Sequence, residues 1–174
     1  MDDSFKIKFT QGEIVGQWDW TFEIPLFKNV ARIGKAGWDK RLQEEIEKIE
    51  YLKKMKKENI FFTSIAQDPQ NPRIFHVEGT LEQNENMKFI IRLPIQYPFT
   101  PPSAEEFYYG KYSYGSEHGK VACLNQINNR WNKDERHGIA HFLAMLGYYT
   151  ALARFNVDIV KRRKTSVKKK RVRS

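Results

Sequence analysis

The chain has 174 residues, enough for one domain with a full hydrophobic core, and its 40% hydrophobic and 29% charged content is that of a soluble globular protein. The longest run without a charged residue, Gly138 to Ala153, is 16 residues, short of the roughly 20 that a membrane-spanning helix needs, and Met-Asp-Asp-Ser-Phe-Lys at the N-terminus offers no apolar signal-peptide core. The net charge of +9 sits in one place: the last 14 residues, Lys161 to Ser174, hold nine Lys or Arg and no acid, while the rest carries 21 basic and 21 acidic residues.

Along the chain, the first stretch alternates. Phe5, Ile7 and Phe9, then Trp18, Trp20, Phe22 and Ile24, sit two apart with polar residues between them. Period two predicts an N-terminal strand pair, with Gln11-Gly12 as turn. Trp38, Leu42, Ile46, Ile49, Leu52 and Met55 then recur every three or four residues. That stripe predicts an amphipathic helix, with Glu44–Lys48 and Glu50–Lys54 paired on its water-facing side. Three strand-like runs follow, Ile60–Ala66, Arg73–Leu81 and Met87–Leu93, separated by Asp68-Pro69-Gln70-Asn71-Pro72 and Gln83-Asn84-Glu85-Asn86. Both connectors carry turn chemistry, so an antiparallel meander is expected. Tyr97-Pro98-Phe99-Thr100-Pro101-Pro102 imposes a stiff extended path. Phe107-Tyr108-Tyr109 reads as a fourth short strand, and Gly110 to Lys120 as a Gly/Ser/Tyr loop leading to Val121-Ala122-Cys123-Leu124. Asn125 to Arg136 reads as loop, and Gly138 to Phe155 as a buried, nearly all-apolar helix. The whole is an α+β domain, and the last 14 residues read as a disordered basic tail.

Cys123 is the only cysteine, which rules out an internal disulfide framework and points to a reducing, cytosol-like compartment. By residue type it reads as a buried structural cysteine. Its setting, between a long polar loop and an Asn-rich stretch, reads instead as reactive. His118 and Lys120 can lower its pKa, and Asn125, Asn128 and Asn129 can donate to a nearby oxyanion. A zinc site from Cys123, His118, His137 and His141 lacks any Cys-x-x-Cys or His-Glu-x-x-His spacing. The simpler expectation is one surface histidine at the helix start (His137 or His141), with the other packed on the core, and no metal. Gly115 to Lys120 has three residues between its glycines and Val121 in place of Ser or Thr, so it is not a phosphate loop.

A helix, a meander, Tyr-Pro-x-x-Pro-Pro, a lone cysteine 21 residues beyond Pro102, and a buried helix together resemble the ubiquitin-conjugating enzyme fold, an antiparallel meander flanked by helices. The resemblance is closest to the conjugating enzyme of the ubiquitin-fold modifier (ufmylation) system. Ile24-Pro25-Leu26-Phe27-Lys28, Trp38 with Arg41-Leu42-Gln43-Glu44-Glu45, Gly119-Lys120 ahead of Cys123, Trp131, and Gly138-Ile139-Ala140-His141-Phe142 match that branch in order, over about residues 24–156. The His-Pro-Asn tripeptide of ordinary ubiquitin-conjugating enzymes is absent. Tyr112-Ser113-Tyr114 stands where the branch has Thr-Ala-Lys, which marks a divergent member.

The resemblance implies a transferase that takes a ubiquitin-like modifier from its activating enzyme as a thioester on Cys123 and passes it to a lysine amine, usually with a ligase. It implies no cofactor. Lys111, Ser113, His118, Lys120 and Asn125 are candidates for supporting the thiolate or oxyanion. Arg41 and Glu44, expected on the wet face of the first helix, are candidates for the activating-enzyme surface. The expected organisation is an extension over 1–23, a catalytic domain over 24–160 and the basic tail over 161–174, which suits an acidic partner, an anionic membrane or nucleic acid. The alternative is a non-catalytic binding module of the same fold.

Overall fold

The computed structural model describes residues 4–7, 22–55, 60–81, 85–109, 112–114 and 124–149. The N-terminal alternation forms a strand pair as expected: β1 (Ser4–Ile7) runs antiparallel to β2 (Phe22–Pro25), with Phe5 opposite Ile24 and Ile7 opposite Phe22. Gln11-Gly12 lies outside the described residues. Phe22 and Ile24 are both buried in the main core, so β2 is continuous with the domain across position 24.

The meander is present. β3 (Ile60–Gln67), β4 (Ile74–Leu81), β5 (Glu85–Arg92), β6 (Ser103–Tyr109) and β7 (Tyr112–Tyr114) form one antiparallel sheet in sequence order. Period-two patterning sets its faces. Phe75 and Val77 on β4 and Met87, Phe89 and Ile91 on β5 are buried, while His76, Glu78, Lys88 and Arg92 between them face water. Asp68 closes the β3–β4 connector: its Oδ1 accepts from the backbone N–H of Gln70 (2.8 Å) and Asn71 (3.0 Å), the local turn bond that Asp favours.

Two parts of the expected loops are regular. Residues Tyr112 to Tyr114, read from the sequence as loop, pair with β6, with Tyr108 opposite Ser113. Two aromatics around a serine suit a sheet edge. Leu124–Arg130, expected to be loop from Asn125 onward, is a short helix, α2. Its Asn-rich sequence has weak helix propensity, but Ile127 and Trp131, one turn apart, are both buried and hold the turn by tertiary packing. A third helix, α3, covers residues 139–149 and is buried along almost all of its length.

The first helix, α1 (Trp38–Lys54), forms where its periodicity places it, and most of its apolar stripe turns inward: Ile49 and Leu52 are buried, and Trp38 and Met55 pack against the core. Ile46 is 51% exposed, whereas Arg41, Glu44 and Glu45 are buried alongside Ile49 and Leu52. The C-terminal half packs by apolar burial and the N-terminal half by a buried polar cluster. Glu44 and Lys48 do pair, at 3.4 Å, yet their side chains are only 11% and 13% exposed, so the pair is not on the wet side.

Candidate active site

Cys123, Lys111, His118 and Lys120 lie outside the described residues. Ser113 lies on β7, and Asn125 is the second residue of α2. In chain order, the described residues nearest the cysteine are β7 before it and α2 directly after it, with the proline-rich crossover between β5 and β6 further upstream.

That crossover is held from inside. Tyr97 is fully buried, while Ile95 and Phe99 on either side are exposed, and the Tyr97–Pro98 peptide is cis. The Tyr97 hydroxyl donates to Glu45 Oε2. The Pro98 carbonyl accepts the indole N–H of Trp131 at 2.8 Å. Arg92, Pro94, Thr100, Pro101, Pro102 and Asn128 line a groove between the crossover and α2.

Beneath this lies a cluster that composition and spacing do not reveal. The Arg41 guanidinium stacks 3.6 Å over the Phe27 ring. It donates to the carbonyls of Asn29 (2.8 Å), Glu135 (2.9 Å) and His137 (2.6 Å), and it sits 3.9 Å from Glu45. Glu45 also accepts the backbone N–H of Ile139 at 3.2 Å. Burial pushes the Glu45 carboxyl up, and Arg41, Tyr97 and the Ile139 N–H only partly counter it. Burial and the Glu45 charge push the Tyr97 hydroxyl well up. At Glu44 burial also pushes upward, but the backbone N–H groups of Lys28 and Asn29, the Asn29 amide and the Lys48 ammonium together outweigh it and bring the carboxyl below its ordinary value.

Arg41 and Glu44 are thus corrected from their expected wet-face position. Each is turned inward because the backbone of residues 28–29, and for Arg41 also that of 135–137, presents polar groups that need partners in a low-dielectric interior. The Arg41 side chain is completely buried.

The two helix-start histidines are likewise both buried, where one was expected at the surface. Their rings stack at 4.7 Å. His137 Nδ1 accepts from the Asn132 N–H and His141 Nδ1 from the Gly138 N–H, both at 3.0 Å. His141 Nε2–H donates to the Ile24 carbonyl at 3.2 Å. The second bond is a capping contact, with the third residue of the helix reaching back to the residue before it. Burial is the main force lowering both pKa values, His137 to about 4 and His141 well below its ordinary range. They are neutral structural groups whose nitrogens serve the backbone, and among the described residues no group of three or more His, Cys, Asp or Glu gathers to hold a metal.

An antiparallel meander, a proline-rich crossover pinned from α1, a lone cysteine next in chain to a short anchored helix, and a buried helix beyond it define a protein of the ubiquitin-conjugating enzyme class. The sequence profile of the ubiquitin-fold modifier-conjugating enzyme 1 family matches residues 19–163, and the chain belongs to that family. It is therefore a conjugating transferase that works with a ubiquitin-fold modifier and the enzyme that activates it, rather than a non-catalytic module of the same fold. No curated protein sequence and no solved structure matches the chain. Among the described residues no helix is long and apolar enough to cross a membrane.

Proposed function

We propose that Cys123 carries the modifier. The observation that supports this most is that the chain has a single cysteine and that it falls inside the family match, directly before α2. The Cys123 thiolate attacks the thioester carbonyl at the C-terminus of the modifier on its activating enzyme. A tetrahedral oxyanion forms, collapses, and expels the activating enzyme's thiolate. A lysine amine, presented with a ligase, attacks the new thioester, an isopeptide bond forms, a proton is lost from nitrogen, and the Cys123 thiolate leaves. Sulfur suits both steps because it is nucleophilic near neutral pH and a good leaving group.

Lys111, His118 and Lys120 supply positive charge that favours the thiolate, and Ser113, Asn125 and local backbone N–H groups supply donors for the oxyanion. The outer face of α1, with Glu44 at its rim, is our proposed contact for the activating enzyme. Segment 161–174, with its nine basic residues, docks on an acidic partner through charge. A reducing compartment such as the cytoplasm keeps the single thiol active.

The test is a charging assay with ATP, the modifier and its activating enzyme, run on a gel without reductant. A shifted band that thiol removes, and that Cys123→Ala lacks, is the expected result. A thiol-sensitive band that persists in Cys123→Ala would overturn the assignment, as would no band with a folded wild-type chain.

A further inference from the structure

Three anchors hold α2 and the residue that follows it. Ile127 is completely buried, Trp131 is 5% exposed, and the Trp131 indole N–H reaches the Pro98 carbonyl at 2.8 Å. The Trp131 ring also lies edge-on to His137, with centroids 5.3 Å apart, and tilts against Tyr97 at 6.5 Å. Pro98 is held in turn by its neighbour Tyr97, whose hydroxyl is fixed on Glu45 of α1. A continuous line of contacts therefore runs from α1 through Tyr97 and Pro98 to Trp131 and along α2 to Leu124, the residue after Cys123.

The two kinds of anchor act differently. Apolar burial presses α2 onto the core, but the driving force is non-directional and sets no particular bond geometry. A hydrogen bond has a preferred length and angle. It therefore fixes the axial position of a helix only about 10 Å long. Reacting atoms are sensitive to displacements of this kind, because near-attack geometry has to be met within fractions of an ångström.

We infer that Trp131 is a positioning residue for conjugation: its indole N–H, held by the Pro98 carbonyl, fixes α2, the helix that follows Cys123 in the chain. The inference rests on the assignment of Cys123 made above.

The experiment measures single-turnover transfer of modifier from the charged activating enzyme to the full chain. Wild type and Trp131→Phe are compared at a temperature where circular dichroism shows both folded. Phenylalanine keeps an aromatic ring and loses the donor. The maximum rate per folded molecule should fall about tenfold or more, while the half-saturating concentration of charged activating enzyme stays within about twofold. A purely structural role lowers the melting temperature and leaves that maximum rate unchanged, and this result would overturn the inference. So would a raised half-saturating concentration with an unchanged maximum rate, which assigns Trp131 to binding.

If Trp131→Phe does not fold, 3-benzothienylalanine at position 131 replaces the N–H by sulfur with the shape retained, and the same two outcomes apply. Cys123→Ala run in parallel separates the two ideas. Charging that persists in it sinks the Cys123 assignment and this inference together. Charging that needs Cys123 but is indifferent to Trp131 sinks this inference alone.

Discussion

The Tyr97 hydroxyl donates to the Glu45 carboxylate across 52 residues of sequence, with both side chains buried. The contact ties the middle of α1 to the turn that carries the chain from β5 to β6. Glu45 meets Arg41 and the first N–H of α3 at the same point. Three parts of the chain therefore converge on one carboxylate, and the joining of α1, the crossover and α3 depends on a buried polar cluster as much as on apolar packing.

Arg41 is the least replaceable member of that cluster. Its planar fork reaches three carbonyls, those of Asn29, Glu135 and His137, from one position over Phe27. A lysine ammonium is a point charge and cannot reproduce that geometry. Arg41→Lys should destabilise the fold by about 3 kcal/mol or more, the scale of a broken buried charge network. Urea denaturation at neutral pH measures it, and a loss within experimental error of zero would refute it.

Acid stability follows from the two buried histidines. Burial holds His137 down at about 4 against an ordinary 6.5, and His141 is also well below it. The unfolded chain therefore binds more protons in this window. The stabilisation is present above pH 6.5 and is lost as pH falls toward about 4. Each histidine contributes a slope of up to about 1.4 kcal/mol per pH unit. Glu45, whose carboxyl is raised, acts with the opposite sign: its contribution is present below its ordinary value of 4.5 and is lost as pH rises through the raised value. Urea midpoints measured between about pH 4.5 and 7 should thus fall on acidification. His137→Asn should flatten the profile and Glu45→Gln should steepen it.

Gly138 is required by lack of space. A Cβ built there lies 1.9 Å from Glu45 Oε1 and 2.4 Å from the Phe27 ring. No rotamer change relieves both, since Glu45 and Phe27 are themselves held by Tyr97 and Arg41. Gly138→Ala should lower stability by about 1–3 kcal/mol through overpacking, read as a drop in melting temperature. An unchanged melting temperature would mean that α3 can shift to make room.

Two isoleucines three residues apart on α1 should behave in opposite ways. Ile49 is 4% exposed and belongs to the core, while Ile46 is 51% exposed. Ile49→Ala should cost about 2–5 kcal/mol, whereas Ile46→Ala should stay within about 0.5 kcal/mol. Equal losses in chemical denaturation would contradict the inward-facing charges seen at the start of this helix.

Much of the fold was legible because apolar periodicity is written along the chain. The alternation in β4 and β5 places Phe75, Val77, Phe89 and Ile91 on one face, and a one-residue slip would expose them. The helix over Trp38–Lys54 was legible for the same reason, but the burial of charged residues at its start was not. Arg41 and Glu45 bear charges that suit water, and only their spacing of four and their step to Ile49 and Leu52 hinted otherwise. The Asn-rich stretch from Asn125 to Arg130 and Tyr112–Tyr114 were misread as loop because local propensity is weak there and distant partners decide.

By itself the sequence determined the order of elements from the N-terminal strand pair to β6, the placement of the charge excess in the last 14 residues, and the single thiol at Cys123. These depend on composition and local pattern. The tertiary structure alone decided which polar residues are buried and what they hold. The Glu135 and His137 carbonyls that claim Arg41 and the Ile139 N–H that claims Glu45 come from a segment brought beside α1 only when the chain folds. A buried polar group is stable only beside its partner, and the partner's position is a property of the fold.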